Sequence, residues 1–76
     1  MPDQAGAIIK VLELVGSSEK SFSDAVRNSV KRASQTIRNI RGVEVVSSTA
    51  DVGDNGELTV YKVNVKIAFV LEGDVS

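Results

Sequence analysis

The spacing of hydrophobic positions along the chain switches from strand-like to helix-like and back. From Ile8 to Val15 both parities are apolar, with Ile8, Leu12 and Leu14 on one side and Ile9, Val11 and Val15 on the other. A short strand buried on both faces is predicted. Gly16, Ser17 and Ser18 break the run, and Ser21 followed by Asp24 forms an approximate capping box that places a helix start near Phe22. Phe22, Ala25, Val26, Val30, Ala33, Ile37 and Ile40 then recur at three- and four-residue spacing, opposite Arg27, Asn28, Lys31, Arg32, Gln35 and Arg38. That pattern predicts a helix with one apolar stripe turned toward a sheet.

Gly42 ends the helical pattern, and Val43 to Val52 is rich in β-branched residues until Gly53, Asp54, Asn55 and Gly56 signal a turn. Read as a type I′ loop, Asn55-Gly56 pairs Asp54 with Glu57 and sets Val46, Ala50 and Val52 beside Val65, Tyr61 and Thr59. That face is largely apolar. The opposite face then collects Val45, Ser47, Thr49 and Asp51 with Lys62, Asn64 and Lys66. A slip of one residue would mix the two classes, so pattern and turn chemistry support the same register.

The element order is β-α-β-β, an α+β class. A right-handed crossover makes the first and second strands parallel and lets the third lie between them. The expected architecture is a three-stranded antiparallel sheet partly wrapped around one helix. One helix covers one face, whereas the first strand is apolar on both sides, so self-association is expected. Residues 8–72 form a single domain in this reading, with residues 1–7 and 73–76 as flexible ends.

A 76-residue chain buries only roughly 60% of the surface exposed by its unfolded form, which leaves a marginal core. Without cysteine there is no disulfide to reinforce it and no thiolate nucleophile. Nine basic against ten acidic side chains argue against a nucleic-acid binder. The opening MPDQAGA lacks the basic start of a secretory signal, and no stretch is long and apolar enough for a membrane span, so a soluble cytoplasmic protein is expected.

Histidine is also absent, which removes the commonest general base and nitrogen metal ligand. Ser17, Ser18 and Ser21 with Lys20 sit at a strand-to-helix junction, where hydroxyls ordinarily satisfy backbone amides rather than attack substrates. The segment GSSEKS has a glutamate where a phosphate loop needs its second glycine and is one residue short. Asp51, Asp54, Asn55 and Glu57 offer oxygen ligands but match no EF-hand spacing, and no metal site is expected. No enzymatic constellation emerges. The most chemically varied surface is the polar sheet face, where Lys62 and Lys66 suggest a wall suited to an anionic aromatic ligand.

VLELVGSS, the basic amphipathic helix, TIRNIRGVEV and the closing VYKVNVKIAFVLEG, in that order, resemble the dodecins over most of the chain. The resemblance implies a β-α-β-β protein that assembles as a homo-dodecamer, binds FMN or riboflavin in pairs between subunits, and stores or sequesters the ligand without turning it over. It also implies where ligand binding changes. Gly42 stands where flavin-binding members stack a tryptophan, and Lys62 where some place a glutamine against the ring's polar edge. Arg41 and Asn64 are the supporting positions. Loss of stacking implies weakened flavin affinity, and the alternative is a flavin-independent structural or cation-binding shell.

Overall fold

The computed structural model describes residues 7–71. Strand β1 (Ile9–Ser18), helix α1 (Phe22–Ala33), strand β2 (Ile40–Val52) and strand β3 (Leu58–Val70) follow one another, and the sheet order is β1-β3-β2 with both neighbours antiparallel to β3. The long third strand is central, as expected. Apart from Ala7, the ends expected to be flexible lie outside the described residues.

β1 does not stop at Gly16. It pairs through Gly16↔Val63, Ser17↔Lys62 and Ser18↔Tyr61, because glycine here lets the helix approach the strand. A Cβ at Gly16 would collide with the Ser29 side chain and come within 2.9 Å of the Ala25 carbonyl oxygen. Ser18 is buried at the strand end, where its hydroxyl donates to Asp24 Oδ2 at 2.7 Å and accepts from the Lys20 amide at 2.8 Å.

The helix begins at Phe22, with Ser21 as its N-cap accepting from the Asp24 amide at 3.0 Å. The capping box is only half closed, since Asp24 spends its carboxylate on Ser18 and Asn28 rather than on the Ser21 amide. α1 ends at Ala33, before Ile37 and Ile40. Asn39 adopts φ 63°, a left-handed conformation that asparagine tolerates better than most residues, and Ile40 then starts β2. Ile37 and Ile40 nonetheless pack on the core, so their spacing marked the right face with the wrong secondary structure.

The core lies between α1 and the β3 residues Val63, Val65 and Ile67, joined by Ala25 and Ala33. Leu14, Val26 and Val30 pack around it. The helix lies over β1 and β3 and barely reaches β2. Val43 and Val45 therefore remain exposed on the helix side, while Ile9, Val11 and Val15 of β1 are exposed on the other face. Within a single chain β1 is thus not buried on both faces.

The hairpin register is correct over Ser47↔Asn64, Ser48↔Val63, Thr49↔Lys62, Ala50↔Tyr61 and Asp51↔Val60. Its ends are shifted. The turn has Gly56 accepting φ 85° and donating its amide to the Gly53 carbonyl at 3.0 Å, with the Gly53 amide bonded to the Glu57 carbonyl at 2.8 Å. Asn55 has no positive φ, which a type I′ loop requires at both central residues, so Asp54 and Asn55 occupy the turn and Gly56 takes the left-handed position after it. Val52 consequently pairs with Leu58, not Thr59, and a bulge at Val46 brings Val45 rather than Val46 beside Val65.

Candidate functional site

The bulges decide which side chains share the sheet face away from the helix. Paired residues of an antiparallel ladder project to the same side, and Val63, Val65 and Ile67 point into the core. The open face therefore carries Val60, Lys62, Asn64, Lys66 and Ala68 of β3, Val11, Glu13, Val15 and Ser17 of β1, and Gly42, Glu44, Ser47, Thr49 and Asp51 of β2. Lys62 and Lys66 do share a face with Ser47 and Thr49. Val45 does not belong there, because the extra residue Val46 reverses the parity and brings Glu44 to the open face instead.

Charge on this face differs from a cationic wall. Lys62 Nζ lies 3.3 Å from Asp51 Oδ1. Lys66 stands in one cross-strand row between Glu13 of β1 and Glu44 of β2. Three carboxylates thus accompany two ammonium groups on the face. The sequence reading missed Glu13 and Glu44; the signal for Glu13 was its place as a lone charge in an otherwise apolar strand segment, whereas Glu44 depends on the bulge.

A cavity of about 510 Å³ opens on this face, lined by Val11, Gly42, Val43, Glu44, Lys66 and Ala68. Val11 and Gly42 flank Ala68 across the sheet, and their small or aliphatic side chains form the floor. A Cβ placed on Gly42 would meet no atom within 4 Å. The position is open, and a large side chain there would project into free space.

Gly42 and Lys66 are brought together; Gly42 and Lys62 are not. The β3 partner of Gly42 is Ala68, six residues from Lys62, a separation of about 20 Å at about 3.3 Å per strand residue. Arg41 is the extra residue of the bulge between Ile40 and Gly42, exposed and outside the cavity lining. Asn64 is half-buried between Val15 and Ser47, and its Oδ1 is buried without a hydrogen-bond partner.

The aromatic side chains all lie on the other side. Tyr61 and Phe69 share the parity of the core residues of β3, and Phe22 of α1 meets Tyr61 edge-on, with ring centroids 5.0 Å apart and an interplanar angle of 80°. With no tryptophan, one tyrosine and two phenylalanines in the chain, no aromatic ring stands on the open face to receive a planar ligand.

Asp24, at the helix start, has a displaced carboxyl equilibrium. The Ser18 hydroxyl hydrogen bond, outweighing partial desolvation and aided by Lys20, Arg27 and Asn28, holds its pKa below the ordinary value. This junction is structural. Among the described residues no group of three or more acidic, histidine or cysteine side chains could hold a metal, and no helix is long and apolar enough to cross a membrane.

The comparisons with known proteins agree on one family. A family model described as Dodecin matches residues 8–72. The dodecin of Thermus thermophilus is 33% identical over 67 residues, covering 88% of this chain and 96% of its own. The calcium dodecin of Mycobacterium tuberculosis is 27% identical over 63 residues, covering 83% of this chain and 87% of its own. The solved dodecin structure from Streptomyces coelicolor has a TM-score of 0.86 and 36% identity, covering 92% of this chain and 99% of that one.

Proposed function

The chain belongs to the dodecin family, and from that premise we propose that it is a non-enzymatic, self-assembling shell protein that binds or sequesters a small ligand at Gly42. The observation that carries this reading is the open cavity on the sheet face, with an apolar floor and a charged rim. Its flavin affinity is weak. Stacking on an aromatic side chain is worth about 1–3 kcal/mol, and the only rings of the chain lie across the sheet.

Assembly follows from exposed apolar surface on both faces. Val11 and Val15 on the open side and Val43 and Val45 on the helix side retain 41–65% of their exposure in one chain, and a further groove of about 360 Å³ between β1 and α1 is lined in part by Leu12, Leu14 and Ile37. A closed homo-dodecamer, the assembly the family resemblance implies, would cover these patches without leaving open sheet edges.

The flavin-independent alternative, a structural or cation-binding shell, draws its support from the calcium dodecin relative. Among its described residues one copy supplies no such cluster, and this alternative therefore looks to the contacts between copies. Light scattering tests the assembly: a stable particle about twelve times the 8.1 kDa chain mass is expected, and a monomer at micromolar concentration would overturn the shell reading. Titration with riboflavin and with calcium then separates the ligand alternatives.

A further inference from the structure

We propose that the cavity at Gly42 disfavours phosphate-bearing ligands and takes a neutral or cationic, largely apolar small molecule, because Glu13 and Glu44 flank Lys66 at its edge. The proposal rests on the reading of this cavity as a ligand site. It concerns which ligand enters, and it reverses the expectation of an anion-binding wall.

Strand neighbours lie about 4.7–4.9 Å apart, so each carboxylate of the Glu13–Lys66–Glu44 row begins one strand spacing from the Lys66 backbone. The ammonium is outnumbered locally. Lys62 does not restore the balance: Asp51 lies 3.3 Å away, and the separation of about 20 Å from Gly42 exceeds the screening length of about 8–10 Å at ordinary salt. Arg41 and Glu13 both stand outside the lining, but Glu13 is paired directly with Lys66 across the sheet, whereas Arg41 is the extra residue of the bulge. A phosphate monoester on the ligand would therefore meet Glu44 in the lining beside an ammonium already attended by Glu13, while an uncharged or protonated ligand would not.

The floor supplies the other half of the selection. Val11, Ala68 and Gly42 make an apolar surface under the charged rim, and the space above Gly42 is free. A molecule with an apolar body covers that floor. Positive charge at its edge is compensated by Glu44, which lines the cavity itself.

The test is a set of fluorescence titrations of the assembled protein with FMN, riboflavin and the cationic acridine proflavine, at about 100 mM and about 1 M salt. Exposed charge contacts change affinity by about two- to fivefold. Proflavine and riboflavin should therefore bind more tightly than FMN by about that factor at low salt, with the gap closing at high salt. Glu44→Gln should narrow it, and Asp54→Asn at the distant hairpin turn should leave it unchanged. The same series on Gly42→Trp, where stacking strengthens all three ligands, should keep the order. FMN leading in either protein at low salt, the result expected if Arg41 and Lys66 set the local field, would overturn the proposal. An equal effect of Asp54→Asn would also overturn it by assigning the preference to overall charge. Failure of every probe to bind either protein would instead remove the ligand-site reading on which the proposal rests.

Discussion

The two faces of the sheet use the same three strands for opposite purposes. Toward α1, Val63, Val65 and Ile67 are almost completely buried and the aromatic rings gather at the periphery of the packing. Away from it, alternate residues of the same strand are Lys62, Asn64, Lys66 and Ala68, with no ring among their neighbours and with open space at Gly42. Packing specifies the fold on one side and leaves the other side free to change its ligand. The β-α-β-β frame of the dodecin family is thus kept here with no aromatic ring on the open face.

The largest contrast should come from truncation. Ile67→Ala removes a fully buried side chain and should lower unfolding stability by about 2–5 kcal/mol, whereas Thr49→Ala on the open face should change it by no more than about 0.5 kcal/mol. Denaturant melts at fixed protomer concentration measure both, and equal effects would erase the division between the faces. Next comes overpacking. Gly16→Val would drive a side chain into Ser29 and the Ala25 carbonyl, so a loss of about 1–3 kcal/mol is expected in the same melts.

The smallest contrast separates two polar contacts. Asp24 has a folded pKa held below its ordinary value by Ser18, so the stability it contributes is present above the unfolded pKa of about 4 and lost as pH falls through the lower folded value. The difference in melting temperature between the native chain and Asp24→Asn should therefore shrink as pH is lowered from about 6 to about 3. Asp51→Asn, which breaks the exposed contact with Lys62, should cost no more than about 1 kcal/mol. A larger loss from Asp51→Asn would mean that the open face also carries the fold.

The helix-side half was readable because periodicity survives where burial is continuous. The stripe from Phe22 to Ala33, the Ser21 cap and the central placement of β3 followed from spacing and crossover geometry. Ile37 and Ile40 were placed on the right face but in the wrong element, since a buried position after a helix C-terminus can keep helical spacing by chance. The open face was less legible. Alternation predicts parity only along an uninterrupted ladder, and the extra residues Arg41, Val46 and Thr59 interrupt it. Val46 alone exchanges Val45 for Glu44 on the open side, which together with Glu13 and Asp51 sets three carboxylates against the two ammonium groups of an apparently basic wall. Gly42 was singled out only through resemblance: its own chemistry says that space is open there and nothing more.

The central proposal is that this dodecin-family chain, with no aromatic ring on its open face, binds flavin weakly at Gly42. Titration of riboflavin fluorescence against the native protein and Gly42→Trp tests it directly. A Cβ at Gly42 meets no atom within 4 Å, and two added stacking contacts per ligand pair should strengthen binding by about 2–6 kcal/mol with deep quenching, while the native protein should bind weakly. Tight, strongly quenched binding by the native protein, unchanged by the tryptophan, would contradict the account.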